Sequence, residues 1–300
     1  MMSVHGILLL DKPLGLSSNQ ALGRAKWLLG VKKAGHTGSL DPLATGMLPL
    51  CFGEATKVAG LLLGNRKRYE AHVRLGSTTT TADAEGEVTA TNPVPPLDDA
   101  TVAALLARFT GVIRQRPPAY SALKRDGVPL YKLARRGEEV VAPEREVRID
   151  SIELLRRTAD TLDLRVTCGT GTYIRSLATD LGAAIGCGAH LGGLRRTWVE
   201  PFEAQAMVTL EQLEAAVAAG GGAALVMPID AALQEMPRVD LDAAESARLR
   251  HGHAQVRLDE TWTGHCRMYD DAGQLAALGE RTGDGLVRPT RVFVYSENQK

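Results

Sequence analysis

Residues 33–48 read Lys33-Ala34-Gly35-His36-Thr37-Gly38-Ser39-Leu40-Asp41-Pro42-Leu43-Ala44-Thr45-Gly46-Met47-Leu48. One carboxylate, on Asp41, is surrounded here by an imidazole, hydroxyls, glycines and a proline. Glycine allows positive φ and a close approach to a ligand, and Pro42 disfavours a helical conformation at Asp41. The pattern predicts a constrained loop that presents Asp41. Two interpretations fit: the carboxylate caps a turn or helix that begins at Pro42, or it is a reactive group with few rotamers.

The composition is that of an ordinary globular protein. The chain has 300 residues, of which 44% are hydrophobic and 23% charged, enough to bury a core in one large domain or two. No apolar run has the length of a membrane span, and the N-terminus lacks the basic region of a signal peptide. Four widely spaced cysteines form no C-x-x-C pair, which argues against a zinc site or a disulfide framework. We therefore expect a cytoplasmic protein with free, mostly buried thiols.

Charge is segregated along the chain although the net charge is zero. There are 35 basic and 35 acidic residues. Basic residues cluster in 32–74, 114–136 and 195–196, and acidic residues in 83–99, 138–163 and 235–260. Segregation of this kind suits a phosphate-binding surface. Solvated basic faces without a ligand are the alternative.

Hydrophobic periodicity predicts both strands and helices. Arg68–Leu75 alternates polar and apolar residues, which predicts a half-buried strand, and Val147–Leu155 with Leu162–Cys168 predicts a pair of strands. Further strands are predicted at 5–10, 47–52 and 87–90, and helices at 21–29, 54–63, 97–109, 173–185 and 210–219. After Pro237 a short helix is predicted at 241–250 and short strands at 254–258, 264–269, 275–278 and 292–295. These last elements predict a small β-rich appendage.

Six motifs follow one another in a fixed order along the chain. They are Asp11-Lys12-Pro13-x-Gly15-x-Ser17-Ser18-Asn19; Gly35-His36-Thr37-Gly38-x-Leu40-Asp41-Pro42-x-Ala44-x-Gly46; Lys67-Arg68-Tyr69; Pro118-x-Tyr120-Ser121-Ala122-Leu123-Lys124; Gly169-x-Gly171-Thr172-Tyr173-Ile174-Arg175-Ser176-Leu177; and Gly186-Cys187-Gly188-Ala189-His190-Leu191-x-x-Leu194-Arg195-Arg196. With these motifs the chain closely resembles the bacterial family of tRNA pseudouridine-55 synthases, the TruB family. Each string is only moderately specific, but together and in this order they make coincidence negligible. The region after Pro237 resembles, more weakly, an RNA-binding domain of the PUA type.

The resemblance implies an α+β pseudouridine-synthase fold, with a mixed, largely antiparallel central sheet flanked by helices and a small C-terminal β-rich PUA-like domain. It implies a catalytic domain over 1–235, with an RNA-gripping insertion at about 114–140, and a PUA-like RNA-binding domain over 236–300. The implied reaction isomerises uridine-55 in the T loop of tRNA to pseudouridine, with no metal and no other cofactor. The resemblance implies that the partner is the T-arm of tRNA. It also implies that the protein is a monomer and that it does not associate with a membrane.

The resemblance also implies roles for four residues around the reaction. Asp41 matches the nucleophile, which can attack either C1′ or C6 of the nucleoside and forms a covalent intermediate by both routes. Arg175 matches a cation beside it, and a neighbouring positive charge lowers a carboxyl pKa. Tyr69 and Tyr173 match the tyrosines that line the uracil pocket. Tyr69 is the candidate for stacking on the base and for handling the C5 proton.

Further residues match the family's RNA-binding positions. His36 matches the residue inserted in place of the flipped base, Leu194 an apolar pocket residue, and Lys12 a residue of a pocket-supporting loop. Candidate phosphate contacts are Lys32, Lys33, Lys67, Arg68, Lys124, Arg125 and Arg195. Taken alone, Tyr69 would be a core aromatic by its alternation, and His36 an ordinary loop histidine.

One departure and two other functions bear on the interpretation. Position 80 is Thr80, where many family members have an aspartate, and Asp83 is a candidate substitute. A glycosidase-like enzyme would need a second carboxylate, which the Asp41 motif lacks. A non-catalytic RNA-binding module on the same scaffold would not require Asp41, Tyr69 and Arg175 together.

Overall fold

The computed structural model describes residues 4–64, 66–121, 123–125, 127–134, 136–138, 140–202, 205–250, 256–257 and 262–295. In these ranges the strands are β1 (Gly6–Lys12), β2 (Ala34–His36), β3 (Ala44–Phe52), β4 (Lys67–Leu75), β5 (Ser77–Thr79), β6 (Val88–Thr91), β7 (Gly111–Gln115), β8 (Lys124–Arg125), β9 (Val128–Pro129), β10 (Arg145–Arg157), β11 (Thr161–Cys168), β12 (Ala189–Val199), β13 (Arg238–Asp240), β14 (Val256–Arg257), β15 (Gly264–Tyr269), β16 (Leu275–Arg281) and β17 (Leu286–Val292). The helices are α1 (Ser18–Leu28), α2 (Ala59–Leu63), α3 (Asp99–Arg108), α4 (Leu130–Ala134), α5 (Ile174–Ile185), α6 (Leu210–Ala218) and α7 (Ala243–Arg250). None of these helices has the length and apolar character needed to cross a membrane.

A mixed, mostly antiparallel sheet forms the centre of the molecule. Its strand order is β1-β3-β12-β4-β11-β10-β7, and β2 pairs with β3. Strands β12 and β3 run parallel, and the other neighbours run antiparallel. The outer edge of β1 is covered by residues far along the chain, since Ile7 exchanges backbone hydrogen bonds with Met227 at 2.9 and 2.8 Å. These features confirm the expected α+β class with a mixed central sheet.

One face of the sheet is buried under helices. Strand β4 alternates as expected, with Tyr69, Ala71 and Val73 buried and their neighbours partly exposed. Leu177 and Leu181 of α5 pack into the same core. Burial of each leucine side chain contributes about 1.5–3 kcal/mol. Helix α5, which carries Arg175, is therefore anchored firmly against the strands that carry the pocket residues.

The C-terminal part forms a second sheet with the strand order β13-β15-β16-β17-β14. Its core includes Val239, Met268 and Val287. The end of β17 and the residues after it contact the 3₁₀ turn Gly53–Lys57 that follows β3, where Lys57 Nζ donates to Val292 O at 2.7 Å and Val294 N donates to Glu54 Oε2 at 2.8 Å. The expected β-rich C-terminal structure is confirmed, whereas the boundary at 235/236 stays a prediction.

Several predicted elements differ from those observed. No element was predicted over 189–199, where β12 crosses the centre of the sheet. The strand predicted at 292–295 lies at Leu286–Val292 instead, because 293–295 extend across to Glu54 rather than continuing the ladder. The helix predicted at 54–63 is divided into a 3₁₀ turn, Gly53–Lys57, and α2. Of the strand predicted at 254–258, residues 254, 255 and 258 lie outside the described residues.

Strand β1 is also longer than predicted. It continues to Lys12 instead of ending at residue 10, and Asp11 and Lys12 pair with β3. Helix α1 begins at Ser18 instead of residue 21, and Ser17 caps it because Ser17 and Gln20 form a reciprocal capping box. This arrangement leaves the Ser18 side chain available for the loop that carries Asp41.

Candidate active site

A cavity of about 450 Å³ opens between the Asp41 loop, β4, β12 and the start of α5. Its lining residues are Gly38, Ser39, Leu40, Asp41, Leu63, Lys67, Tyr69, Ser121, Arg145, Gly169, Thr170, Gly171, Thr172, Tyr173, Ile174, Arg175, Leu194 and Arg196. Its size falls within the range of small-molecule sites, about 300–1,000 Å³. The fold therefore brings Asp41, Tyr69, Tyr173, Arg175 and Leu194 together, as predicted.

Two elements hold the Asp41 loop in place. Ser18, at the start of α1, accepts a hydrogen bond from Leu40 N at 2.7 Å and donates one to Leu40 O at 3.0 Å. From β12, Arg196 Nη2 donates to Gly38 O at 3.1 Å. A turn rather than a helix begins at Pro42, and Ala44 N donates to the Asp41 backbone carbonyl at 3.0 Å, so the turn that the capping interpretation allowed is present and the helix is not. The side chain of Asp41 is 44% exposed, and it lines the cavity.

Arg175 pairs with Asp41 and is itself rigidly held. Its Nε lies 2.9 Å from Asp41 Oδ2, and the arginine side chain is only 5% exposed. Its Nη1 donates to Thr81 O at 3.1 Å, and its Nη2 donates to Tyr120 O at 2.8 Å. A buried guanidinium with several partners has one available orientation, so Arg175 presents Nε to the carboxylate without further reorganisation.

Asp83 is a second carboxylate beside the same guanidinium. Its Oδ2 lies 3.7 Å from Arg175 Nη1, and its side chain is 3% exposed. Oδ1 accepts hydrogen bonds from Thr81 Oγ1 and from Glu85 N. Arg175 is thus placed between Asp41 and Asp83. The structure puts Asp83, rather than Thr80, next to the catalytic candidates.

The Asp41 pKa is set by opposing effects. Burial is the largest and raises the pKa of Asp41, Arg175 lowers it, and the negative charge of Asp83 raises it again. The net direction of the Asp41 pKa is upward, although Arg175 lowers it as expected. Removal of the carboxylate from water outweighs one ion pair here.

Arg196 also lines the cavity, and the sequence analysis did not select it as a site residue. It is 1% exposed, its Nε donates to Met47 O at 2.6 Å, and its positive charge acts on the Tyr69 phenol. Burial raises the Tyr69 pKa, with Arg196 opposing it. Arg196 therefore links the Asp41 loop, β3 and Tyr69. Its position in the last motif was the available signal, but the pair Arg195-Arg196 was interpreted only as surface charge.

The other residues that were predicted to form or support the pocket differ in burial and in position. Tyr173 lies at the wall, with the Arg145 guanidinium 5.1 Å from its ring centroid. His36 ends β2 outside the lining of the cavity, and burial lowers its pKa. Lys12 is fully buried, donates to Pro13 O at 2.8 Å and to Leu16 O at 2.5 Å, and has its pKa lowered to about 8 by burial. Lys12 thus supports the loop below Asp41.

The candidate phosphate contacts do not form one uniform surface. Lys32 and Lys33 are exposed, and Arg125 is paired with Glu138 at 3.5 Å. Arg195 makes two hydrogen bonds to Asp11, at 2.9 and 2.7 Å.

The other three candidate phosphate contacts are considered one by one. Arg68 lies 5.2 Å from the Trp198 ring centroid. Lys67 is buried and lines the cavity, which differs from the surface position expected for it. The side chain of Lys124 lies outside the described residues.

The described part of the chain contains no group of three or more His, Cys, Asp or Glu side chains arranged to hold a metal ion. The four cysteines are free and buried. The chemistry available in the cavity is therefore that of a carboxylate, guanidinium groups, an amine and phenols.

Comparison with known proteins places these observations in a family. Residues 26–174 match the TruB family pseudouridylate synthase N-terminal domain, residues 175–234 the tRNA pseudouridylate synthase B C-terminal domain, and residues 237–293 the C-terminal domain of pseudouridine synthase II TruB. Proteins named tRNA pseudouridine synthase B are 55% identical in Xanthomonas axonopodis pv. citri (97% of this chain, 94% of the relative) and 50% identical in Pseudomonas fluorescens (97% and 96%).

Two solved structures have a similar fold. A chain of a Cbf5-Nop10-Gar1 complex superposes with a TM-score of 0.74 at 27% identity, over 98% of this chain and 86% of that one. A chain of an H/ACA RNP bound to a substrate RNA containing 2′-deoxyuridine superposes with a TM-score of 0.73 at 25% identity, over 97% and 86%.

Proposed function

Because the chain belongs to the TruB family of pseudouridylate synthases, we propose that it converts uridine-55 in the T loop of tRNA to pseudouridine, with Asp41 as nucleophile. The observation that carries this proposal is the ion pair between Asp41 and the buried Arg175, 2.9 Å apart, in a cavity also lined by Tyr69 and Tyr173. The names of the relatives support tRNA as the substrate, and the RNA in the H/ACA structure supports RNA as the ligand class.

The reaction begins with extrusion of the target nucleoside into the cavity. Unstacking costs a few kcal/mol, which stacking on tyrosine faces offsets. His36, on the strand that leads into the Asp41 loop, fills the space that the base leaves in the RNA. Leu194 forms the apolar part of the pocket, and Lys12 keeps the loop in place from below.

Asp41 then forms a covalent bond to C1′ or to C6. The C1′–N1 bond breaks, the base turns and C5 bonds to C1′. The bond to Asp41 breaks and its carboxylate is regenerated, and the proton of C5 is lost while N1 gains one, so the reaction is an isomerisation. Arg175 keeps Asp41 ionised against the effect of burial. Because burial raises the Tyr69 pKa, Tyr69 is a neutral phenol that can relay the C5 proton rather than remove it as an anion.

We further propose that different segments of the chain have different functions. Residues 1–235 carry catalysis, the insertion at about 114–140 grips the RNA, and residues 236–300 form the PUA-like RNA-binding domain. The exposed cations Lys32, Lys33 and Arg125 are placed to contact phosphates. The protein acts as a cytoplasmic monomer on the T-arm.

Incubation with an unmodified tRNA transcript, followed by mapping of pseudouridine, tests the proposal. We expect modification at position 55 and none in a transcript with cytidine at that position. Free uracil as the product would indicate a glycosidase, and tight binding without modification would indicate an RNA-binding module. Either result would overturn the proposed function.

A further inference from the structure

The indole ring of Trp27 lies open on the surface of α1. Trp27 is 70% exposed, whereas Trp198 is 5% exposed. Single exposed aliphatic residues are ordinary on protein surfaces. Tryptophan, however, has one of the largest apolar areas of any side chain, and it is highly buried on average. An exposed indole in this position indicates a surface that a partner covers.

Arg24 orients the ring of Trp27. Its guanidinium lies 5.5 Å from the ring centroid, which is within the range of a cation–π contact. The Nη2 of Arg24 also donates to both carboxylate oxygens of Glu214 on α6, at 3.2 Å each. The ring therefore packs against a side chain that a second helix holds in place. A ring with few available rotamers loses little conformational entropy when a ligand stacks on it.

Trp27 lies in a segment whose charged residues are all basic. Residues 12–40 include five lysines and arginines and no aspartate or glutamate. Lys26 directly precedes Trp27, and Lys32 and Lys33 follow it as exposed residues. An aromatic side chain among cations is the combination that binds unpaired nucleic acid, because the ring stacks on a base while the cations contact phosphates.

The same segment leads to the part of the chain that is proposed to enter the RNA. Gly30 N donates to Trp27 O at 3.1 Å, which closes the end of α1. Lys32 and Lys33 come next, and β2 then ends at His36. The ring, two proposed phosphate contacts and the residue proposed to replace the flipped base thus follow one another along one short stretch.

The ring is nevertheless separate from the cavity. Helix α1 begins at Ser18, whose side chain holds Leu40 beside Asp41. Trp27 is nine residues further along this helix, which at 1.5 Å per residue is about 14 Å. A base that stacks on Trp27 is therefore not the base that reacts at Asp41.

We propose that Trp27, together with the cations Arg24, Lys26, Lys32 and Lys33, is a stacking platform for an unpaired base of the substrate tRNA other than the target uridine. This Trp27 platform rests on the proposed function, since it requires RNA as the ligand. Stacking on an aromatic face tolerates any base, and the neighbouring cations fix the phosphate backbone. The platform holds the tRNA at a second point while the target uridine enters the cavity.

Filter binding of an unmodified tRNA transcript to Trp27 variants tests the platform. We expect Trp27→Ala to raise Kd by about 10-fold, as for loss of one stacked base. Trp27→Phe should retain most of the affinity, because phenylalanine also offers an aromatic face. A Kd for Trp27→Ala within 2-fold of the wild-type value would overturn the proposal.

Val88→Ala is the matched control. Val88 is a large apolar residue, 63% exposed on β6, and its neighbours Glu85 and Glu87 are acidic. Its truncation should leave Kd within 2-fold of wild type. Thermal unfolding of each variant checks that it is folded. Equal losses of affinity in Trp27→Ala and Val88→Ala would contradict a specific role for the indole ring.

The salt dependence of binding separates stacking from charge. Trp27 neutralises no phosphate, so Trp27→Ala should weaken binding at every salt concentration without changing the slope of log Kd against log salt. Lys32→Met should reduce that slope by about one, as for one lost phosphate contact. A reduced slope in Trp27→Ala would show that the ring only positions a cation, and it would contradict the stack.

Indole fluorescence reports on the ring itself. The emission that Trp27→Phe removes should be quenched by tRNA, but not by long-chain polyphosphate, which has charge and no bases. Equal quenching by the two polyanions would overturn the proposal. Pseudouridine formation by the wild type on the same transcript is measured first. Absence of product there counts against the proposed function, whereas product with an unchanged Kd in Trp27→Ala counts against the platform alone.

Discussion

At Asp41, the protein combines a group that must be ionised with surroundings that favour its neutral form. Burial raises the Asp41 pKa, and Arg175 opposes that effect. In Asp41→Asn the group has nearly the same shape but cannot act as a nucleophile. We expect no detectable pseudouridine, with a tRNA Kd within a few-fold of wild type. If Kd rose in proportion to the loss of rate, the assignment of Asp41 as nucleophile would be refuted.

Asp83 affects the pH at which Asp41 becomes reactive. Its negative charge raises the Asp41 pKa, and kcat/KM falls when the pH drops through that pKa because the ionised form reacts. In Asp83→Asn this contribution is removed, so the acidic limb of kcat/KM should move to lower pH. We also expect a lower plateau value of kcat/KM above that pKa, because Arg175 loses a partner 3.7 Å away.

A matched control for this variant is Asp99→Asn. Asp99 pairs with Arg157 at 2.8 Å on the surface, and its side chain is exposed. Its replacement should leave the acidic limb where it is. A limb that stays in place in Asp83→Asn, or moves to higher pH, would contradict the electrostatic role of Asp83.

Residue types and motifs identified Asp41, Tyr69 and Arg175 from the sequence, but not the depth of the charged residues. Lys67, Arg195 and Arg196 were all interpreted as surface cations. In the fold Lys67 and Arg196 are buried, and Arg195 pairs with Asp11. Burial of a charged side chain depends on partners from distant segments, such as Met47 O for Arg196, and a local pattern does not contain that information.

At the scale of elements, contact between α5 and β12 fixes the position of Arg175. A Cβ on Gly182 would lie 2.2 Å from Ala189 N, so Gly182→Ala must push the helix from the strand. We expect a loss of about 1–3 kcal/mol in unfolding free energy, as for overpacked cores, and a lower kcat. Urea unfolding and a pseudouridine assay measure the two effects.

Gly23→Ala in α1 is the matched control. Gly23 is also inside a helix, but a Cβ there meets nothing within 4 Å. Alanine should raise the unfolding free energy by about 0.5–1 kcal/mol and leave kcat unchanged. Equal stability changes in the two variants would show that the close contact at Gly182 is not what holds α5.

Periodicity located most helices and strands but missed β12. This strand contains Gly192-Gly193 and Arg195-Arg196, and its ladder with β4 shifts register between Leu191 and Gly193. Gly192 is required by the neighbouring strand, since a Cβ there would lie 2.8 Å from the His72 ring. Alternation of polar and apolar residues does not identify a strand such as β12, whose residues have to fit cross-strand neighbours and a buried guanidinium.

For the whole molecule, RNA binding has to come from the distribution of charge, because the net charge is zero. The proposed phosphate contacts are Lys32 and Lys33, beside the Asp41 loop, and the cations of the basic insertion. If about six phosphates are neutralised, affinity should fall by about 10³-fold between roughly 50 and 200 mM salt. Filter binding of tRNA over a salt series measures the slope. A flat response would remove the charge argument.

Strand β1 has a further consequence for how the molecule is completed. Ile7 hydrogen-bonds to Met227 across the outer edge of the sheet, and the ring of His5 packs edge-on against Tyr295 at 5.5 Å. A ribosome adds about 5–20 residues per second, so on the order of ten seconds or more separates the synthesis of Ile7 from that of Met227. Until then the nascent chain carries an apolar strand with an open edge, the kind of surface on which unfinished chains aggregate. Sealing of that edge is among the last steps of biogenesis, after the Asp41 loop has already been made.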